Sequence, residues 1–121
     1  MIEATSTARI VMTTMVSPEE ATRLGRTLVE ERLAACATLL PPVHSIYRWQ
    51  GTIESSAETL LLLKTATDQL PALEARLQQL HSYQTPEFLV LEIEAGSRAY
   101  LEWLRASLGP PNPSSPQGTK V

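Results

Sequence analysis

Cysteine, aspartate and lysine are nearly missing from this chain of 121 residues, and each shortage excludes something. Cys36 is the only cysteine, so no internal disulfide can form, which fits a reducing, cytoplasmic compartment. Lys64 and Lys120 are the only lysines and the formal net charge is −3. A lysine-rich surface for phosphate groups therefore cannot form, and we expect neither nucleic acid nor a membrane as a partner.

Long hydrophobic runs and clustered glycines are also missing. The longest aliphatic run covers residues 60–63, far short of the roughly 20 residues of a membrane span, and no secretory signal pattern begins the chain. All five glycines are isolated, which excludes a glycine-rich phosphate loop. The composition is 43% hydrophobic and 19% charged, as in folded globular proteins. We expect one domain over residues 1–108 and a proline- and serine-rich tail over residues 109–121.

The hydrophobic periodicity predicts the element order β-α-β-β-α-β-α. Ser17 and Glu20 form a capping box at the first helix, Asp68 is the expected N-cap of the second, and Ser97 that of the third. The predicted strands cover residues 8–15, 35–40, 43–50, 52–65 and 87–94, with the paired prolines at 41–42 marking a bend or bulge. The predicted helices cover residues 18–33, 68–81 and 97–108.

This order favours an α+β fold of the ferredoxin-like type, in which two split βαβ units form one antiparallel sheet covered by helices. Residues 35–50 and 52–65 form a hairpin whose arms are longer than ordinary strands. The run at 60–63 has no polar alternation, which suggests a strand covered on both faces. Projecting strands with exposed aromatic side chains favour pairing with other subunits; an arm that folds back at the prolines is the alternative.

Four segments, in this order and at these separations, carry a resemblance to a known family. They are Glu-Arg-Leu-Ala-Ala-Cys-Ala at 31–37, Ser-Ile-Tyr-Arg-Trp-Gln-Gly at 45–51, Leu-Leu-Leu-Lys-Thr at 61–65 and His-Ser-Tyr-Gln-Thr-Pro-Glu at 81–87. As a set they resemble the CutA family of divalent-cation tolerance proteins. The resemblance implies a tight homotrimer joined through the long hairpins, with an architecture similar to the PII signalling proteins, and a role in the response to copper and other divalent metal ions.

Two positions depart from the family pattern. Ser82 stands where the family typically has proline after the histidine, and we expect this change to loosen the turn between helix and strand. Gln50 stands where an acidic residue commonly precedes the glycine, which removes a carboxylate from the hairpin tip.

Cys36 and His81 are the candidate metal ligands, for copper or another divalent ion. No paired cysteine or histidine spacing supports a local site, but a trimer can bring copies of one residue together. The structural alternatives are a small buried thiol between two alanines for Cys36, and an interaction with the helix dipole for His81.

A second group of residues occupies positions that, in the family, resemble the lining of a cleft between subunits. A lysine among aromatic rings can hold a small anion, which gives the alternative function of a PII-like sensor. The structural alternative is that the aromatic residues only bury area at an interface and that Lys64 pairs with Glu87. The predicted cleft residues are Tyr47, Trp49, Lys64, Tyr83 and Glu87, with His81 beside them.

Catalytic motifs are weak in this sequence. A serine hydrolase would need Asp68, which looks like a helix cap, and a pair of Cys36 with His81 or His44 lacks an orienting motif. We therefore expect a binding protein that is not an enzyme and uses no organic cofactor.

Overall fold

The computed structural model describes residues 1–110, and the predicted tail from residue 111 onward lies outside them. Seven strands and three α-helices alternate along the chain, with a short 3₁₀ turn at Thr67–Gln69 before the second helix. The strands are β1 (Ile2–Ala4), β2 (Ala8–Met15), β3 (Cys36–Leu39), β4 (Val43–Trp49), β5 (Thr52–Ala66), β6 (Leu89–Glu92) and β7 (Ala95–Ser97). The helices are α1 (Pro18–Glu30), α2 (Leu70–Leu80) and α3 (Arg98–Ser107).

The central sheet has the strand order β3-β5-β2-β6 and every neighbouring pair is antiparallel. This order, with helices between the strands, is the ferredoxin-like arrangement, so the predicted fold class is confirmed. Strands β1 and β7 form a separate two-stranded sheet that the sequence analysis did not predict. The predicted last strand, residues 87–94, is longer than the observed β6, so Glu87 lies before this strand rather than within it.

The predicted long hairpin is present, and its first arm is interrupted at the paired prolines. Strand β5 spans 15 residues. Its first half pairs with β4 and its second half pairs with β2 and β3, so the β4 end of the hairpin extends beyond the central sheet. The connecting loop consists of Gln50 and Gly51, both with positive φ (50° and 86°), as a tight two-residue hairpin turn requires.

Helices α1 and α2 cover one face of the sheet and build the main core there, whereas α3 packs separately against Ala35 and Ala66. Alternate residues of β2 and β5, such as Val11 and Leu63, are fully buried against leucines of α1 and α2. The expectation that residues 60–63 are covered on both faces holds for one face only within the described chain. Leu61 and Leu63 are buried, whereas Leu60 and Leu62 remain partly exposed on the other side.

Helix α1 begins as predicted and ends earlier than predicted. Ser17 Oγ accepts a hydrogen bond from the amide of Glu20 at 3.2 Å. The helix stops at Glu30 because Arg32 adopts φ 62° and the amides of Arg32 and Leu33 bond to the carbonyls of Val29 and Leu28. These two bonds form a Schellman motif, here with arginine at the left-handed position that glycine usually occupies.

The predicted N-cap role of Asp68 was wrong. Helix α2 follows the 3₁₀ turn, its N-cap residue is Gln69, and no side chain caps it. The Asp68 carboxylate is buried and instead accepts hydrogen bonds from the guanidinium of Arg105 on α3, at 2.9 and 3.2 Å. Leaving a buried carboxylate without a partner costs more free energy than leaving a helix without a side-chain cap.

The C-terminal helix α3 is capped by Ser97, whose Oγ accepts from the amide of Tyr100 at 3.2 Å, as predicted. The side-chain amide of Gln69 donates to the carbonyls of Gly109 and Pro110, each at 3.0 Å. The first two residues of the predicted tail are thus held against the domain.

Over residues 1–110, none of the helices is both long and apolar enough to cross a lipid bilayer.

Candidate functional site

A pocket of about 670 Å³ lies between the hairpin and the segment that follows α2. Strand β4 contributes Tyr47 and Trp49, which are two residues apart and share one face of the strand. The segment after α2 contributes Tyr83 and Glu87, and β5 contributes Glu58. Four of the five predicted cleft residues therefore come together in a single chain.

His81 holds the segment after α2 in place. One ring nitrogen, Nε2, lies 2.8 Å from the carbonyl oxygen of Thr14, and the other, Nδ1, accepts a hydrogen bond from the amide of Tyr83 at 3.0 Å. Because Nδ1 accepts, Nε2 carries the proton and donates it to Thr14. Both nitrogens of this predicted metal ligand are occupied, so His81 positions Tyr83 and presents no free lone pair.

Glu58 and Glu87 give the pocket its negative charge. The hydroxyl of Tyr83 donates to Glu58 Oε2 at 2.7 Å, and burial together with this bond raises the pKa of Tyr83. The Tyr83 phenol therefore stays protonated. Burial raises the pKa of Glu87, and the nearby charge of Glu58 raises it further. Among the described residues, none of those that line the pocket is basic.

Lys64 lies away from the pocket. It pairs with Cys36 across β3 and β5, and its Nζ is 3.8 Å from the Cys36 thiol. The predicted pairing of Lys64 with Glu87 does not occur among the described residues. The residue on which the small-anion hypothesis depended is thus absent from the pocket of the single chain.

The two predicted metal ligands do not meet within one chain. Cys36 lies at the level of Ile10 on β2, because both are opposite Lys64, whereas His81 contacts Thr14. Four residues along a strand correspond to a separation of about 13 Å. Within residues 1–110, no group of three or more histidine, cysteine, aspartate or glutamate side chains could hold a metal ion.

The sheet surface that faces away from α1 and α2 is mostly apolar, and neither of these helices covers it. We call this surface the open face. Its residues alternate with the buried core residues, and the register places Leu91 opposite Ile10 and Leu89 opposite Met12. Leu89 and Leu91 are 52% and 43% exposed. The open face consists of Ile10, Met12, Thr14, Cys36, Thr38, Leu60, Leu62, Lys64, Leu89 and Leu91.

Glu58 was missed by the sequence analysis. A glutamate two residues before the apolar run at 60–63 was the available signal, since a charged residue on a covered strand needs a partner. Its exposure is only 8%, and its partner, Tyr83, is 25 residues away in sequence. Because Glu58 and Tyr83 are far apart in sequence, local sequence patterns do not indicate their hydrogen bond.

The strand order and the long hairpin place the molecule in the class of ferredoxin-like α+β domains. The family model of the CutA1 divalent ion tolerance protein matches residues 9–107. The divalent-cation tolerance protein CutA of Thermus thermophilus is 47% identical over 100 residues, which cover 83% of this chain and 97% of that protein. The chain belongs to the CutA1 family.

Solved structures agree with this assignment. The structure of CutA from Synechococcus elongatus PCC7942 superposes with a TM-score of 0.86 at 42% identity, covering 90% of this chain and 96% of that one. The solved structure of the divalent cation tolerance protein from Thermus thermophilus gives a TM-score of 0.82 at 46% identity, covering 84% of this chain and 99% of that one.

Proposed function

We propose that this protein is a cytoplasmic homotrimer that contributes to divalent-cation tolerance by binding copper or another divalent metal ion once assembled, and that it is not an enzyme. The open face is the observation that carries the proposal. An apolar sheet surface in contact with water is unfavourable, and a second copy of the chain offers an equally apolar surface to cover it.

Two different strand edges favour a ring rather than a twofold dimer. Strand β6 pairs only with β2, and residues 52–58 pair only with β4, so within the described chain each has one unpaired edge. When unlike edges of neighbouring copies pair, the interface is head-to-tail, and such interfaces close into rings. The family resemblance supports three as the number of subunits in the proposed ring.

Metal binding is proposed to depend on assembly. Cys36 lies on the open face, so packing of copies through that face brings several thiols toward one another. A thiolate suits copper(I) and zinc, and three equivalent sulfur ligands would form a site that one chain lacks. His81 is the less suitable ligand, since both of its ring nitrogens already have hydrogen-bond partners.

The test is a calorimetric titration of zinc into the assembled protein, because zinc does not oxidise thiols. We expect saturable binding that is lost in Cys36→Ser and unchanged in His44→Ala, a matched control on the exposed hairpin. Repeating the titration with copper(I), which thiolate ligands also favour, should give saturable binding that is likewise lost in Cys36→Ser. Equal zinc uptake by wild type and Cys36→Ser would contradict the proposed ligand.

The alternatives are less well supported. A PII-like sensor for a small anion would need a cation in the pocket, and Lys64 does not line the pocket of the single chain. A thiol hydrolase would need a base beside Cys36. His81 instead contacts Thr14, four positions along β2 from the level of Cys36, and both of its ring nitrogens already have hydrogen-bond partners.

A further inference from the structure

We propose that residues 111–121 of this chain bind to an exposed face of helix α3 of the same chain and cover Tyr100 and Trp103. This face of α3 belongs neither to the open face nor to the lining of the pocket. The family match ends at residue 107, so the segment lies outside it. The proposal does not rest on the proposed metal binding. It is supported by the surface of α3, by the spacing of the prolines and by the place where the segment begins.

Helix α3 has an exposed face that carries no charge, and we call it the aromatic face. Its residues are three or four positions apart, as neighbours on one side of a helix are. Tyr100 and Trp103 are 42% and 45% exposed, and their ring centroids lie 5.2 Å apart. Two large rings flanked by small side chains form an apolar surface whose contact with water is unfavourable. The aromatic face consists of Ala99, Tyr100, Trp103 and Ala106.

The prolines at 110, 113 and 116 recur at every third residue of the sequence. A polyproline II helix has three residues per turn, so this spacing places the three proline rings on one side of such a helix. Pro111 falls outside the series and would lie on another side. Proline-rich segments bind in this conformation to surfaces lined with aromatic side chains, and they lose little conformational entropy when they bind. The spacing therefore fits the aromatic face.

The small number of charges in the segment also fits the aromatic face. Lys120 is the only charged side chain in residues 111–121. Residues 111–119 can therefore cover an apolar surface without removing a charged side chain from water. A charged segment would instead favour the neighbouring side of α3, which carries Arg98, Glu102 and Arg105.

The segment begins beside the C-terminal end of α3. The side-chain amide of Gln69 holds the carbonyl of Pro110 at 3.0 Å, and the guanidinium of Arg105 donates to the carbonyl of Gly109 at 3.3 Å. Trp103 lies four residues before the end of the helix at Ser107, about 6 Å along its axis. Residues 111–116 span about 19 Å in the polyproline II conformation, so a segment that turns back along α3 reaches both rings.

The covalent connection favours the same chain over a separate protein as the occupant. A short tether gives an effective concentration in the range of about 1 mM, so even a weak contact between prolines and aromatic rings is populated. A separate protein at a lower concentration would need a correspondingly higher affinity to displace the segment. The segment thus acts as a cover that keeps the aromatic face from binding other proteins.

The test measures how far acrylamide quenches the fluorescence of Trp103 in the full-length protein. All samples carry Trp49→Phe, which leaves Trp103 as the only tryptophan. We expect Pro113→Ser to raise the quenching constant about twofold, because a dissociation constant near the effective concentration leaves about half of the chains covered. Pro111→Ser is the matched control. It removes a proline of the same segment outside the three-residue series, and it should leave the quenching constant unchanged.

A second readout observes the contact from the segment itself. The ring current of Trp103 shifts the amide NMR signals of residues that lie against it, and Ser114 and Ser115 stand between the two prolines of the proposed contact. We expect Trp103→Leu to move both signals toward the values of an isolated peptide of the same sequence. Trp49→Leu, at a residue of similar exposure on the hairpin, should leave them in place.

Three results would overturn the proposal. The first is equal quenching in Pro113→Ser and Pro111→Ser together with unmoved signals of Ser114 and Ser115. The second is a quenching constant that falls as the protein concentration rises, which would mean that another assembled molecule covers the aromatic face. The third is a Trp103 ring that acrylamide cannot reach in any variant, which would place the aromatic face in an interface between subunits.

Discussion

Ser82 and Glu20 define the turn after α2 at the scale of single residues. The buried carboxylate of Glu20 accepts one hydrogen bond from the amide of Ser82 and another from its hydroxyl, both at 2.9 Å. The expectation that serine at position 82 loosens the turn was wrong, because this residue ties the turn to α1. A proline here could supply neither hydrogen bond. The second half of the predicted capping box was also wrong, since the carboxylate of Glu20 is bonded to Ser82.

We predict that Ser82→Ala lowers the free energy of unfolding by about 1–3 kcal/mol, the usual range for a hydrogen bond to a charged group. Urea denaturation measures the change. Ser6→Ala is the matched control, because the Ser6 side chain is exposed and makes no hydrogen bond in the described structure. Equal stability of the two variants would show that the Ser82 hydroxyl contributes nothing.

Glu87 makes a pH dependence testable. Its pKa is raised by burial and by Glu58, so the folded state holds the proton more tightly than the unfolded state does. Stability therefore falls as the pH rises from the ordinary glutamate pKa through the raised one, and the penalty persists above it. We predict that Glu87→Gln raises the melting temperature at neutral pH and that this gain shrinks in acid. Scanning calorimetry across pH checks it; a gain independent of pH would contradict it.

At the scale of elements, the periodicity of apolar residues was sufficient to place every strand of the central sheet and all three helices. Helix N-termini at Ser17 and Ser97 followed from local capping chemistry. The end of α1 did not, because arginine at the left-handed position carries no sequence signal there. The role of Asp68 and the β1–β7 pairing depend on contacts between segments distant in sequence, which local patterns do not contain.

The attachment of α3 rests on one ion pair that can be tested. Arg105→Ala leaves the buried carboxylate of Asp68 without its guanidinium and should cost about 2 kcal/mol, less than a fully buried pair because Arg105 is half exposed. Arg26→Ala, which breaks the exposed pair with Glu30, should cost under about 0.5 kcal/mol. Denaturation midpoints measure both, and amide exchange in α3 should rise only in Arg105→Ala.

At the scale of the whole molecule, the site was predicted in part. The family resemblance named Tyr47, Trp49, Tyr83 and Glu87, and these four residues line one pocket of the single chain. Lys64 does not line the pocket of the single chain, and its place in a cleft between subunits stays a prediction. The sign of the pocket's charge depends on Glu58, whose partner lies on another segment.

The open face leads to a matched test of assembly. Leu89 on this face and Val16 in the loop before α1 are 52% and 55% exposed, so both are comparably accessible in the single chain. We predict that Leu89→Glu reduces the assembled mass, because it places a charge in the proposed interface, and that Val16→Glu leaves the mass unchanged. Size-exclusion chromatography separates the two outcomes.

The most direct test of the central claim is the mass of the unmodified full-length protein in solution, measured by light scattering over a range of concentrations. The account predicts three times the chain mass of 13.3 kDa, about 40 kDa, and no dissociation on dilution to low micromolar concentration. A mass of one chain would contradict it, since the open face would then stay in contact with water and no assembly could bring copies of Cys36 together.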